Sequence, residues 1–240
     1  MTTPEVIGGK GAHDALRRVL RARPKAKVLD CPSGQGGLAA YMRDLGWDVH
    51  CSDIDEGNLR VTGMPFRAAN LNRGLPHADA EFDVVVCANG LHRLFNPGRA
   101  VAEFHRILRP GGTLFLNLNN YSALGRRLRF LIYGSLDNAL NEGKCEQTTT
   151  DPEANVRVPF LLPVAGNLLK SAGFEVRQCW ASGTDARTMI LWPLALALRG
   201  LGMLAPPKSR KRNHLALTNS AAAFPGGRYV LIEATKRADR

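Results

Sequence analysis

The stretch that decides the fold is "KVLDCPSGQGGLAAYM", residues 27–42. A short apolar run at 28–29 ends in an acid, Asp30, and three glycines follow before a helix-like segment begins. A glycine-rich turn between a strand and a helix lets a ligand approach the backbone closely, and it aims the N–H groups of the helix start at that ligand. The stretch therefore predicts the first strand, turn and helix of a ligand-binding α/β fold.

The rest of the chain alternates short apolar runs with helical patterns. A first helix is predicted to run to about Arg23, where Pro24 stops it. Strands are predicted at 26–30, 48–53, 66–70, 82–89, 113–119 and 227–236, and another follows the helical pattern within 161–180. This β-α-β alternation predicts a parallel sheet that is buried on both faces.

Length, charge and cysteine content limit the class of protein. With 240 residues and 45% hydrophobic content, the chain is predicted to form one domain, 1–240, with one sizeable core. The net charge of +11 favours an anionic partner, although a basic enzyme is an equal alternative. The five cysteines form no CxxC pair, and the N-terminus lacks an apolar leader. These features predict a reduced, cytoplasmic protein with no disulfide, zinc site or membrane span.

Two acids at strand ends distinguish between two classes of nucleotide ligand. Asp53 ends the second strand, 23 positions after Asp30, where an acid can accept hydrogen bonds from ribose hydroxyls. A pyrophosphate turn needs G-x-G-x-x-G directly after the strand, whereas this turn has the spacing D-x-x-x-G-x-G. An acid in the turn repels a pyrophosphate and suits an ammonium group. S-adenosylmethionine (SAM) has an amine and no phosphate.

Several sequence segments, in this order and spacing, resemble the motifs of class I SAM-dependent methyltransferases, in particular the families called methyltransferase type 11 and type 12. They are "VLDCPSGQGG", "CSDID", "AANLNRGLPHADAEFDVVVCANGLHRLFNP" and "EFHRILRPGGTLFL". The resemblance covers residues 26–120 and continues more loosely to the final strand. It implies an α/β fold with a doubly wound, mostly parallel sheet of seven strands in the order 3-2-1-4-5-7-6, and SAM as cofactor.

The same resemblance implies roles for eight residues. Asp30 orients the methionyl amine, Gly34 and Gly36 pass under the ligand, Asp53 binds the ribose, Ile54 packs on the adenine, Asn70 and Leu71 flank the adenine, and Asn89 lies near the methionyl group. Three positions depart from the family pattern: Pro32 replaces a glycine, and Asn70 and Asn89 stand where acids are common.

Methyl transfer to a hydroxyl or amine is helped by a base, and two candidates follow strands four and five. These are His92 and Tyr121. A structural role is an open alternative for each: His92 as a partly exposed residue at a helix start, and Tyr121 as a packing residue. No metal ligands are predicted.

Two inserts, at about 121–158 and 184–224, are predicted to form a helical cap. The segment 189–212 is apolar in its first half and strongly basic at its end. Two interpretations are open. The segment is either a lid over the pocket or a contact with a second subunit, or it binds an anionic membrane surface or a lipid-linked acceptor. Nucleic acid stays an alternative partner because 208–212 is basic, although no aromatic stacking pattern accompanies it.

The resulting functional prediction is methyl transfer from SAM to a small-molecule or glycan acceptor, lipid-linked or free, at oxygen. The alternatives are a non-catalytic module that binds SAM or a membrane surface, and an RNA methyltransferase. The protein is expected in the cytoplasm, at the inner face of the membrane if 189–212 binds lipid. The acceptor and the oligomeric state stay open.

Overall fold

The computed structural model describes residues 11–135, 159–182, 190, 192–224 and 227–237. Seven strands form one sheet: β1 (Lys27–Asp30), β2 (Asp48–Asp53), β3 (Phe66–Ala68), β4 (Phe82–Ala88), β5 (Leu108–Asn119), β6 (Phe174–Ser182) and β7 (Tyr229–Lys236). Their order is β3-β2-β1-β4-β5-β7-β6, and only β7 runs antiparallel to its neighbours. The predicted fold class and strand order are therefore confirmed.

The described helices are α1 (Asp14–Arg21), α2 (Gly37–Asp44), α3 (Pro97–Ile107), α4 (Leu124–Tyr133), α5 (Leu162–Ser171), α6 (Trp192–Met203), α7 (Pro207–Arg212) and α8 (Leu215–Thr218). Two 3-10 turns, Glu56–Asn58 and Leu91–Arg93, follow β2 and β4. Residues of α1 and α2 pack with one face of the sheet, and residues of α3 and α5 pack with the other. The sheet is thus covered on both sides, as the apolar runs of its strands require.

Large apolar side chains fill both layers of the core. Phe82, Phe104 and Phe174 are fully buried on the α3 and α5 side, while Leu16 and Met42 are fully buried on the α1 and α2 side. Burying a side chain of this size contributes about 1.5–3 kcal/mol. The core therefore holds the strands in register and leaves their carboxyl ends available to build a site.

Strand β5 is longer than the sequence predicted. It begins at Leu108, directly after α3, instead of at Thr113. Leu108 pairs with Phe82, and after a shift in register Thr113 pairs with Val84. The turn at 110–112 therefore interrupts the hydrogen-bond ladder without ending the strand. A proline-glycine pattern in the sequence does not tell whether a strand is interrupted or only begins after the turn.

The two predicted inserts contain helices where the structure describes them. Helix α4 lies in the first insert, and α6, α7 and α8 lie in the second. Leu124 of α4, Ala195 of α6 and Phe224 form a small buried cluster, so the two inserts pack against each other. Residues 136–158 and 183–189, which belong to the same two predicted cap elements, lie outside the described residues. The single-domain organisation stays a prediction.

Candidate functional site

A cavity of about 230 Å³ opens at the carboxyl ends of β1, β2 and β4. In doubly wound sheets a ligand binds beyond these strand ends, where the strand order reverses. Here the order reverses between β1 and β4, which are neighbours in the sheet. Seven of the eight predicted cofactor residues line the cavity: Asp30, Gly34, Asp53, Ile54, Asn70, Leu71 and Asn89.

The glycine turn has two glycines with different roles. Gly34 has φ +51° and lines the cavity, and no heavy atom beyond its chain neighbours lies within 4 Å of where a Cβ would stand. Gly36 has φ +81° and caps the start of α2, and a Cβ there would overlap the side chains of Leu59 and Val61. Gly36 is not among the described residues that line the cavity, and the contacts at its Cβ position give it a packing role, while its predicted place under the ligand stays a prediction.

Asp30 ends β1 as a buried carboxylate, with only 1% of the residue exposed. Among the described residues, neither of its oxygens has a hydrogen-bond partner in ordinary geometry. Burial raises the pKa of Asp30 to about 8, the negative charge of Asp53 adds to the rise, and the backbone N–H of Ala39 weakly opposes it. A buried carboxylate without partners is costly, and a cationic ligand group would relieve that cost.

Asp53 ends β2 and is held by backbone donors. Its Oδ2 accepts a hydrogen bond from the N–H of Gly34 at 2.7 Å, and its Oδ1 accepts one from the N–H of Ile54 at 2.8 Å. A backbone N–H of Asp55 also acts on this carboxylate, and a carboxylate offers about four acceptor positions, so capacity remains for a ribose hydroxyl. Burial raises the pKa of Asp53, while these N–H groups and the charge of Arg93 oppose the rise.

The loop after β3 is fixed by asparagine side chains. The amide oxygen of Asn70 accepts the N–H of Asn72 at 2.9 Å. The amide oxygen of Asn72 in turn accepts the N–H groups of Phe95 at 2.9 Å and of Asn96 at 3.1 Å. Asn70 and Leu71 are therefore positioned on the cavity wall by contacts with the segment that follows β4. A contact of Asn70 with an adenine amine stays a prediction.

The end of β4 supplies the other side of the cavity. Asn89 has φ +57°, and its N–H donates to the carbonyl of Asn117 at 2.9 Å. Its amide oxygen is buried and has no partner among the described residues. The next residue, Gly90, leaves no room for a Cβ because Pro32 and Cys87 lie against it. The strained backbone at Asn89 thus sits where β4 meets the turn after β1, which is typical of a ligand site.

The two candidate bases lie beside the cavity. His92 belongs to the 3-10 turn between Gly90 and Arg93, and these two neighbours line the cavity. Tyr121 is buried after β5, with the guanidinium carbon of Arg126 4.9 Å from its ring centre. Neither His92 nor Tyr121 is among the described lining residues, and a catalytic role for either stays a prediction.

Sequence reasoning missed several residues on the cavity wall: His13, Ser33, Gln35, Asn58, Asn72 and Arg93. His13 is the most distant in sequence, because it precedes α1 instead of following a strand. Burial and the charge of Arg17 lower the pKa of His13 to about 4, and the charge of Asp14 opposes this. Nothing in its local sequence marks it, because its position depends on contacts with β5 and β6.

The polar groups of the cavity fit SAM. The carboxylate of Asp30 matches an ammonium group, and Asp53 matches ribose hydroxyls. Buried polar atoms of Asp30, Asn89 and His13 have no hydrogen-bond partner among the described residues. Such atoms are rare in a folded protein unless a ligand or water satisfies them. A carboxylate at the start of the glycine turn would oppose a pyrophosphate.

Comparison with known proteins shows which family part of the chain resembles. Residues 29–116 match the family model described as "Methyltransferase domain". Over these residues, the match agrees with the predicted resemblance to class I SAM-dependent methyltransferases and with SAM as the cofactor.

Three relatives illustrate the range of the similarity. A demethylmenaquinone methyltransferase of Beutenbergia cavernae is 37% identical over 100 residues, which are 40% of this chain and 41% of that protein. A malonyl-[acyl-carrier protein] O-methyltransferase of Enterobacter lignolyticus is 35% identical over 106 residues, 42% of each protein. A solved structure with a similar fold is that of 1,6-didemethyltoxoflavin-N1-methyltransferase of Burkholderia thailandensis, which has S-adenosylhomocysteine (SAH) bound. The two chains superpose with a TM-score of 0.55 and 17% sequence identity, over 95% of this chain and 80% of the other.

The similarity has a definite extent. This chain spans about two fifths of the length of the curated relatives that it matches. The solved structure, at 17% identity, shows that the fold is shared over nearly the whole chain. The sequence similarity is therefore limited to the part of the chain that holds the cofactor motifs, and the inserts at α4 and α6–α8 lie beyond residues 29–116.

Proposed function

We propose that this protein transfers a methyl group from SAM to a small organic acceptor. The observation that carries the proposal is Asp30, a fully buried carboxyl group whose oxygens make no hydrogen bond of ordinary geometry with the described residues, in a cavity shared with Asp53. An ammonium group against Asp30 and ribose hydroxyls against Asp53 would satisfy both acids together. This combination favours SAM over a dinucleotide.

SAM, when bound, supplies a methyl group that the positive sulfur has already activated for in-line displacement. The protein's own contribution is then mainly to position both partners and to exclude water, which can account for a large part of the rate. The cavity residues are suited to this, because Asp53 and Asn72 accept two backbone N–H groups each.

A small molecule is the acceptor class that the relatives favour. Those compared above are named for demethylmenaquinone, for the malonyl group of an acyl-carrier protein and for didemethyltoxoflavin, and two of the names specify oxygen or nitrogen. For this chain we propose a hydroxyl oxygen as the methyl-accepting atom. A glycan, lipid-linked or free, stays a more specific alternative, and an RNA acceptor or a non-catalytic SAM-binding role is an outcome for experiment to decide.

The inserts suggest a second element of function, which is contact with an anionic membrane surface. Helix α6 buries Ala195, while its apolar side chains Leu194, Leu196, Leu198 and Leu201 are 37–62% exposed. At the end of α4, the side chains of Phe130, Leu131, Ile132 and Tyr133 are 52–81% exposed. Exposed apolar area on this scale is typical of an interaction surface.

The charge around these helices favours anionic lipid as the occupant. Residues 190–224 contain five Lys or Arg and no Asp or Glu, and α4 contains three arginines and no acid. The four basic residues of α7, Lys208, Arg210, Lys211 and Arg212, are all exposed. Each would add about 1 kcal/mol near an anionic surface. No described helix is long and apolar enough to cross a bilayer, so we propose that the contact is peripheral.

Labelled-methyl transfer tests the main proposal. The full chain is incubated with methyl-labelled SAM and a cell extract, and the products are separated into lipid, small-molecule, RNA and protein fractions. We expect label in the small-molecule or lipid fraction, abolished by Asp30→Asn and retained by Asp44→Asn, an exposed aspartate on α2. Label in the RNA fraction would indicate an RNA acceptor instead. If the chain binds SAH but transfers no label, a non-catalytic module would be favoured.

A further inference from the structure

The tip of β2, which carries Asp53, has few strand neighbours. The last pair between β1 and β2 is Asp30 with Cys51, so Ser52 and Asp53 extend beyond the pairing with β1. On the other side they pair with β3, an edge strand of three residues. Because the ladder is thin at this point, side-chain contacts behind the strand become important for the direction of Asp53.

Ser52 makes such a contact with His77. Successive side chains of a strand point to opposite faces of a sheet, so Ser52 lies on the face opposite Asp53. Its hydroxyl is buried, with 2.8 Å between Oγ and Nε2 of His77. The carbonyl of Ser52 accepts the N–H of Ser33, in the turn after β1, at 3.0 Å. A shift of Ser52 would therefore move both the acid and the glycine turn.

His77 is anchored to the rest of the fold by its backbone and by its ring. Its carbonyl accepts a hydrogen bond from Nη1 of Arg106, on α3, at 2.7 Å. Its ring packs edge-on against Phe82, the first residue of β4, with 5.1 Å between the ring centres. Its Nδ1 lies 3.4 Å from Oε2 of Glu81 and 3.3 Å from Nη1 of Arg67, on β3. The ring therefore connects the tip of β2 to α3, β3 and β4.

The charges around His77 keep its ring in a form that can make these contacts. Burial lowers the pKa of His77, and Glu81 opposes this. Arg67 and His50 add to the lowering, so the ring is neutral at pH 7. Burial would raise the pKa of Glu81, but its hydrogen bonds and the charge of Lys27 lower it to about 2, so a carboxylate faces Nδ1. A neutral imidazole has one N–H and one acceptor nitrogen, and a serine hydroxyl can pair with either.

We propose that His77 is a positioning residue, which directs Asp53 towards the ribose of SAM by holding Ser52 from behind the sheet. This inference rests on the proposed function. His77 is 6% exposed and is not among the described residues that line the cavity, so it acts through Ser52 and not by contact with the ligand. A hydrogen bond between neutral groups contributes less than one to a charged group, so the effect should be smaller than that of Asp53 itself.

Two variants of His77 separate its contact with Ser52 from its contact with Glu81. The amide of a glutamine side chain reaches the position of Nε2, whereas that of an asparagine reaches only the position of Nδ1. We expect His77→Asn to weaken SAH binding about three- to tenfold, and His77→Gln to keep it within about twofold of the wild type. Ser52→Ala, which removes only a hydroxyl, should cause the same loss as His77→Asn. Calorimetry measures the affinities, and thermal unfolding checks that each variant is folded.

A double-mutant cycle tests whether the effect passes through Asp53. In an Asp53→Ala background, His77→Asn and Ser52→Ala should each change SAH affinity by less than about twofold, because the acid that they position is gone. Equal losses in both backgrounds would mean that His77 only supports the fold, and this would overturn the inference. Unchanged SAH affinity in the single variants would overturn it too. If His77→Asn does not fold, the Ser52→Ala cycle decides the question alone.

His50 provides a matched control on the same strand. Its ring also packs edge-on against Phe82, with 5.4 Å between the ring centres, and its Nε2 lies 3.5 Å from Oδ1 of Asp48, at the start of β2. His50→Ala should therefore leave SAH affinity within about twofold of the wild type, as expected for a site that is not coupled to Asp53. A loss as large as that of His77→Asn would contradict a specific role for His77. A wild-type chain that does not bind SAH would instead refute the proposed function.

Discussion

The carboxylate of Asp53 accepts a hydrogen bond from the backbone N–H of Gly34, with 2.7 Å between nitrogen and Oδ2. This bond joins the end of β2 to the glycine turn after β1. One side chain therefore shapes the turn and also lines the cavity, where its remaining lone pairs are available to a ribose.

Replacement of Asp53 tests this double role. Asp53→Ala removes the ribose acceptor and the partner of the Gly34 N–H, so SAH affinity should fall about ten- to a hundredfold. Asp53→Asn keeps one acceptor oxygen and should retain more of the affinity than the alanine variant. Calorimetry measures both, with circular dichroism to check folding. Unchanged SAH affinity in a folded Asp53→Ala variant would show that the acid does not bind ribose.

The raised pKa of Asp30 predicts that cofactor binding depends on pH. With a pKa of about 8, Asp30 on its own is mostly protonated at pH 7, whereas a bound ammonium group requires the carboxylate. Binding below pH 8 should therefore release about one proton, and SAH affinity should rise about tenfold per unit between pH 6 and 7.5. Calorimetry in buffers of different ionisation enthalpy measures the proton. Asp30→Asn should bind more weakly and lose this dependence, and a pH-independent wild type would contradict the prediction.

The two glycines of the turn should respond differently to alanine. Gly34→Ala adds a methyl group that meets no other part of the protein, so it should cost about 1–2 kcal/mol of stability from its positive φ and should also reduce SAH affinity. Gly36→Ala adds overlap with Leu59 and Val61 to the same strain, for about 2–5 kcal/mol in total. Thermal unfolding and SAH titration separate the two effects. An equal loss of stability in both variants would argue against the assigned roles.

The membrane contact predicts salt-sensitive binding to anionic vesicles. Reversing Lys208, Arg210, Lys211 and Arg212 to Glu should abolish sedimentation with vesicles that contain phosphatidylserine and leave SAH affinity intact. As a control, reversal of four exposed arginines elsewhere, Arg18, Arg21, Arg60 and Arg73, should have a smaller effect. Binding should weaken with salt, because charges are screened over about 8–10 Å at physiological ionic strength. If the wild-type protein does not bind such vesicles at low salt, the membrane contact is contradicted, and α6 and α7 would instead form a lid or a subunit contact.

The sequence could predict those parts of the site that follow strand ends. Asp30 and Asp53 each end an apolar run, and parallel strands bring their carboxyl ends to one edge, so local pattern and topology together were sufficient. His13 could not be predicted in this way, since it reaches the cavity through Asn117 and Ser182, more than 100 residues away in sequence. Gly36 shows a similar limit, because motif spacing does not reveal that Leu59 and Val61 occupy the space beside it.

The measurement that tests the central claim most directly is calorimetry of the full chain with SAH and, separately, with NAD. The buried acid at position 30 and the acid-held glycine turn predict that SAH binds with a dissociation constant in the micromolar range and that NAD binds far more weakly. Tighter binding of NAD than of SAH, or no binding of SAH at any pH up to about 9, which lies above the pKa of about 8 of Asp30, would contradict the assignment of this cavity to SAM.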